Sequence, residues 1–181
     1  MYGLIIIENG LSSKGLTNLS PVEESIVKAL ESSPTEYRYR NLGELRFELK
    51  MRERFIVNAR SMDEGDAKFA AFEHSYFNSA YWIKTPYGYR LRDSKLPSEA
   101  IEDIFTNSSA YSFECVTSIV LIYYKSILDM IRTSYFNQLF SPLLVWGHNY
   151  DDDMSMVTYE GVDYIPGDVY YFSNPDYDDP I

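Results

Sequence analysis

Between Val116 and Ile131 the apolar residues Val116, Ile119, Val120, Tyr123, Ile127, Met130 and Ile131 recur at i, i+3, i+4, i+7 spacing. That spacing gathers them on one side of a helix and predicts a buried one. Two earlier segments carry helix starts. Ser20-Pro21-Val22-Glu23 has a capping serine, proline at the first helical position and glutamate at the third, predicting a helix to about Ser32. Asn41 caps the next, with Glu44 at its third position, an apolar stripe of Leu42, Leu45, Leu49, Ile56 and Ala59, and Gly65 as its stop. Basic residues from Arg46 to Arg60 read as a solvated face paired with Glu44, Glu48 and Glu53. Pro97-Ser98 opens a shorter helix carrying Ile101, Ile104 and Phe105.

Extended segments are expected at Leu4–Glu8 and Tyr37–Arg40. Tyr81–Lys84 and Tyr89–Arg92 flank Thr85-Pro86-Tyr87-Gly88, a turn signal, and predict a hairpin. After Pro142 the pattern shortens to strand-like runs: Leu143–Trp146, Met156–Tyr159, Val162–Ile165 and Val169–Phe172. Glu160-Gly161 and Pro166-Gly167-Asp168 mark turns between them. Helices followed by antiparallel strands argue for an α+β fold over residues 1–181 as a single domain.

Composition narrows the function. Hydrophobic residues make up 45% of 181 positions, with 17 Tyr, 10 Phe and 2 Trp, enough apolar surface for a core. The net charge is −11, and no Lys or Arg follows Arg132. Such a chain lacks the positive charge that nucleic acid or an anionic membrane requires, so neither is expected as a partner. Ile119–Tyr124, the longest apolar run, is far short of the ~20 residues that span a bilayer. The N-terminus lacks the basic region of a secretory signal, so a protein made and kept inside its cell is expected. A single cysteine, Cys115, excludes an internal disulfide and Cys-rich zinc. Asp151-Asp152-Asp153 lacks the glycine and distal glutamate of a calcium loop.

Cys115 stands where a loop ends and the buried helix begins. A thiol in a first helical turn meets free backbone N–H groups and the positive end of the helix dipole, which favour the nucleophilic thiolate. Glu114 beside it has two opposed roles: it repels a thiolate, or it accepts the thiol proton as a base. A small buried core residue is the other reading of a lone cysteine on an apolar helix.

Tyr-Ser-Phe-Glu-Cys-Val-Thr-Ser-Ile-Val-Leu-Ile-Tyr-Tyr-Lys, residues 111–125, resembles the active-site helix of the spore-coat protein-glutamine gamma-glutamyltransferases, small bacterial transglutaminases of spore formers. Matches in the same order run from about residue 20 to 178. They include Leu42-Gly43-Glu44-Leu45, Ala67-Lys68-Phe69-Ala70, Asn78 with Tyr81-Trp82, Phe136-Asn137, Gly167-Asp168 and Asn174-Pro175. The resemblance implies a papain-like fold of the NlpC/P60 branch, to which Ile165-Pro166-Gly167-Asp168 is also similar. It implies that Cys115 attacks a glutamine carboxamide, that Glu114 is an active-site carboxylate, and that Phe69, His148 and Tyr171 line a substrate tunnel. No cofactor is implied, and calcium independence is expected. The implied partners are glutamine- and lysine-bearing coat proteins, and the implied location is the mother-cell cytoplasm and then the spore coat surface.

Two departures qualify it. His148 stands where the family carries a tryptophan, and an exposed loop histidine is its plainer reading. The family continues past Asn174-Pro175 with a Gly-Glu-Asn segment and a His-Gly strand, whereas this sequence ends at Ile181, so the domain reads as incomplete at its C-terminus. A weakly active or inactive coat scaffold of the same fold stays open. So does a papain-like cysteine peptidase or amidase, although neither His74 nor His148 stands where that fold would put its base. The chain holds seven Lys but a single Gln, Gln138, and so reads as a poor acyl donor to itself.

Overall fold

The capping box expected at Ser20 forms in full. Ser20 Oγ accepts from the Glu23 amide, and the Glu23 carboxylate accepts from the Ser20 amide, opening α1 (Pro21–Ser32). Asn41 likewise caps α2 (Leu42–Asp63), its side chain accepting from the Glu44 amide at 3.0 Å. These contacts are seen in a computed structural model, which describes residues 5–7, 15–146 and 163–169.

The remaining helices are α3 (Pro97–Thr106), α4 (Cys115–Met130) and α5 (Thr133–Leu139). The strands are β1 (Ile5–Ile7), β2 (Tyr37–Tyr39), β3 (Lys68–Phe69), β4 (Trp82–Lys84), β5 (Gly88–Leu91), β6 (Ser112–Phe113) and β7 (Leu144–Trp146). Helix and strand content fits the α+β expectation, but the elements alternate along the chain instead of segregating. Among the described residues there are three small sheets: parallel β1–β2, parallel β3–β6, and antiparallel β4–β5–β7. The hairpin forms as expected, with Trp82 opposite Leu91 and Lys84 opposite Tyr89. From the expected Leu143–Trp146 run, Leu144–Trp146 joins its outer edge as β7. Gly88 is required there, since a Cβ would lie 2.2 Å from the Val145 carbonyl oxygen. Met156–Tyr159 lies outside the described residues, as do the ends of the other two late strand runs; Asp163–Ile165 is not strand.

Two apolar clusters hold the elements together. One packs α3, α4 and α5 against the β4–β5–β7 sheet around Ile101, Ile104, Leu121, Tyr124, Phe136 and Val145, all fully buried. Each such side chain contributes roughly 1.5–3 kcal/mol by leaving water. The other gathers β1, β2, α1 and the first turns of α2 around Ile26, Leu30, Leu45, Leu49 and Ile165. Because α2 serves both neighbourhoods, its buried face turns along its length. Beyond Leu49 the buried residues are Phe55 and Asn58, not the expected Ile56 and Ala59, which are only partly covered.

One basic residue departs from the solvated face. Arg52 is largely buried and bridges Glu48 at 2.8 Å and Asp168 at 2.5 Å. Burial opposes its charge, but the two carboxylates outweigh that and hold the guanidinium above its ordinary pKa. Pro166-Gly167 forms the expected turn, with Gly167 at φ +91° lying directly on the Arg52 backbone.

Candidate active site

The segment leading to Cys115 is clamped on both sides. β3 pairs in parallel with β6, setting Phe69 opposite Phe113, and the Ala70 amide donates to the Phe113 carbonyl at 3.1 Å. On the other flank Tyr76 and Ser112 exchange both backbone hydrogen bonds, at 3.1 and 2.7 Å. Behind them Phe77 stacks on Tyr89 at 3.9 Å and meets Tyr111 and Phe113 edge-on. Tyr111, fully buried, donates its hydroxyl to Asp103, which Asn78 also reaches. Burial raises the Tyr111 pKa, and the bond to Asp103 raises it further, so the phenol stays a donor.

The chain then turns into a helix. Glu114 is the N-cap of α4, with extended backbone, and makes no capping hydrogen bond with its side chain. Its carbonyl accepts from the Ser118 amide, and Ser118 Oγ donates to the Cys115 carbonyl at 2.5 Å. Cys115 is the first residue of the helix, and it is exposed. The small-core reading of this cysteine therefore does not hold. A thiol placed so sits beside first-turn amides that have no partner within the helix, donors of the kind an acyl oxyanion needs.

Phe69 is 77% exposed although its backbone lies beside Phe113, two residues from Cys115. An aromatic ring in water at that place has no core role. Tyr76, 42% exposed on the opposite flank of the same strand, was not singled out by the sequence. One aromatic among 17 tyrosines carries no signal until strand pairing places it. His148 and Tyr171, the other two expected tunnel residues, lie outside the described residues. His74 is exposed at the end of a short 3-10 turn, Phe72–His74.

α2 packs along α4. Phe55 meets Tyr123 with ring centres 4.5 Å apart, and Asn58 meets Ser126 three residues further along both helices, so α2 and α4 run in the same direction. Phe47, in the first turns of α2, is 57% exposed. Between the helices and the 167–168 turn lies a groove of about 260 Å³, lined by Phe47, Met51, Phe55, Tyr123 and the Arg52 ion pairs. No group of three or more His, Cys, Asp or Glu among the described residues is placed to hold a metal ion. No described helix is long and apolar enough to cross a membrane.

Residues 4–180 match the family profile of protein-glutamine gamma-glutamyltransferases. The chain belongs to that family. Protein-glutamine gamma-glutamyltransferases of Bacillus cereus (strain B4264) and Bacillus anthracis (strain CDC 684) are each 33% identical to it over 177 residues, or 95% of this chain. The chain spans 64% of the length of those relatives. The solved transglutaminase from Geobacillus stearothermophilus, without its C-terminal extension, matches with a TM-score of 0.70 and 42% identity, over 74% of this chain and 65% of that one. The fold of this transglutaminase-family chain is therefore the bacterial transglutaminase fold, with the Cys115 helix among its elements.

Proposed function

We propose that this chain carries protein-crosslinking acyl transfer at Cys115. The exposed thiol at the start of α4, in a chain whose family profile covers nearly its whole length, carries the reading. The thiolate sulfur attacks the γ-carboxamide carbon of a peptide glutamine. The tetrahedral oxyanion collapses to a thioester, and the amide nitrogen takes a proton and leaves as ammonia. A neutral lysine amine then attacks the thioester carbon, expels the thiolate and loses a proton, leaving an isopeptide bond. Glu114, adjacent in sequence, is the assigned base that takes the thiol proton and returns it to the leaving nitrogen. Thiol, base and backbone donors account for every step, so no calcium or organic cofactor is assigned.

Phe69, with His148 and Tyr171, is assigned to the walls that keep water from the thioester, because hydrolysis competes with the amine. The resemblance of residues 111–125 to the spore-coat enzymes leads us to assign coat proteins bearing glutamine and lysine as substrates, and the mother-cell cytoplasm and then the coat surface as the location.

The test is incorporation of a fluorescent primary amine into a glutamine-rich protein. Wild type incorporates it and Cys115→Ala does not. Incorporation that persists in Cys115→Ala removes the thiol from the mechanism. A folded wild type that incorporates nothing supports the scaffold reading, and cleavage of cell-wall peptide without amine transfer supports the peptidase.

A further inference from the structure

Lys84, the last residue of β4, has one acceptor for each of its three ammonium hydrogens. They are the carbonyl oxygens of Phe72 at 2.6 Å, Glu73 at 3.1 Å and Ser75 at 3.0 Å. The same nitrogen lies 4.8 Å from the centre of the Phe72 ring and 5.6 Å from that of Tyr89. The cage closes over the 3-10 turn Phe72–His74 and the residue after it. Ser75 is held a second time, its hydroxyl 2.8 Å from the Tyr89 hydroxyl. The next residue is Tyr76, whose backbone pairs reciprocally with Ser112, three residues before Cys115.

We infer that Lys84 is a positioning residue for the Cys115 thiol, and that its amine is withheld from acyl transfer. The chain of contacts is short and uninterrupted: ammonium, the carbonyls of Phe72, Glu73 and Ser75, the Tyr76–Ser112 pair, then the strand that leads to Cys115. The turn is closed locally by the Ser75 amide and hydroxyl on the Phe72 carbonyl, and the carbonyls of Phe72, Glu73 and Ser75, gathered on one cation, take a defined direction. Amine attack needs a nitrogen that sheds a proton and turns its lone pair to the acyl carbon. A nitrogen whose three hydrogens each meet a backbone carbonyl offers none, although the residue as a whole is exposed. The positioning role rests on the acyl-transfer reading only for its kinetic readout; the two chemical readouts below do not.

Brief treatment of the 181-residue chain with an acetyl N-hydroxysuccinimide ester, followed by peptide mass spectrometry, reads the cage directly. Lys84 is expected to acetylate about tenfold more slowly than the exposed Lys28 and Lys50. Equal rates overturn the inference. Cys115 is the sole thiol, so its alkylation by iodoacetamide reads the aim of the strand. Lys84→Met is expected to change that rate several-fold and to lower kcat for amine incorporation about tenfold with KM unchanged. Lys84→Arg, which keeps a cation and donors, is expected to return both to within about twofold of wild type. An unchanged alkylation rate in folded Lys84→Met overturns the positioning role. Should Lys84→Met not fold, the wild-type acetylation pattern and Lys84→Arg still decide. A wild type without transferase activity defeats the acyl-transfer reading and leaves acetylation and alkylation measurable.

Discussion

Asn58 on α2 donates its side-chain amide to Ser126 Oγ on α4, 3.1 Å away, with Ser126 fully buried and Asn58 nearly so. The same nitrogen reaches Asp129 at 3.1 Å, and Lys125 closes the network by pairing with Asp129 and Glu102. Polar groups inside a helix–helix contact fix register in a way that apolar side chains do not, because each must keep its partner. Removing the donor leaves Ser126 and Asp129 short of it in a largely buried contact. Asn58→Ala is expected to lower stability by about 1–3 kcal/mol. Urea unfolding at constant m-value measures it; a loss below about 0.5 kcal/mol would mean water replaces the amide.

Gly167 is held where no side chain fits. Its φ of +91° is strained for any L residue, and a Cβ would stand 2.8 Å from the Arg52 Cβ and 3.0 Å from its Cα. Gly167→Ala is expected to cost about 1–3 kcal/mol and to loosen the turn from α2, breaking the Arg52–Asp168 pair. Faster limited proteolysis near residue 167, with α1 to α5 still helical by circular dichroism, is the expected result. Wild-type protection would show that the turn does not depend on glycine.

Acid weakens the contact between the 163–169 segment and the N-terminal half. Hydrogen bonds from Ser33 first, and then Tyr37, hold the Asp163 carboxyl below its ordinary pKa. A carboxylate lowered in the folded state stabilises above the usual carboxylate range, and that share is lost as pH falls through the lowered value. The melting temperatures of wild type and Asp163→Asn should differ by about 1–3 °C at pH 7 and converge in acid. A gap that persists or widens in acid contradicts the assignment. Tyr37 gives the alkaline counterpart. Burial and the bond to Asp163 push its phenol up to about 12, so its neutral form stabilises below pH 10 and that share is lost as pH climbs through the raised value.

Phe69 separates stability from chemistry. At 77% exposure its removal leaves the core intact, and Phe69→Ala is expected to unfold within about 0.5 kcal/mol of wild type. If its ring shields the thioester, water gains on the amine. Ammonia release should then exceed amine incorporation in the variant by several-fold more than in wild type. An unchanged ratio assigns the shielding elsewhere.

Much of the local structure was legible in the chain. The capping box at Ser20, the Asn41 cap, the turn between β4 and β5, and the apolar spacing from Val116 all involve residues within a few positions of one another. Their hydrogen bonds close within those few residues. The placement of Cys115 at a helix start, with Glu114 before it, followed from the same short-range signals. The α5 helix carries no comparable start signal, and its N-cap Arg132 makes no side-chain capping bond.

Tertiary structure decided the rest. Parallel pairing of Lys68–Phe69 with Ser112–Phe113 joins residues more than forty apart, and two-residue strands leave no alternation to read. Asn58 reads as a break in an apolar stripe until α4 supplies its acceptors, and Arg52 reads as surface charge until Asp168 folds back onto it. Lys84 is one lysine of seven until the Phe72–Ser75 carbonyls close on it. In each case the deciding energy is that of a polar group finding, or failing to find, a partner distant in sequence, and periodicity carries no record of that.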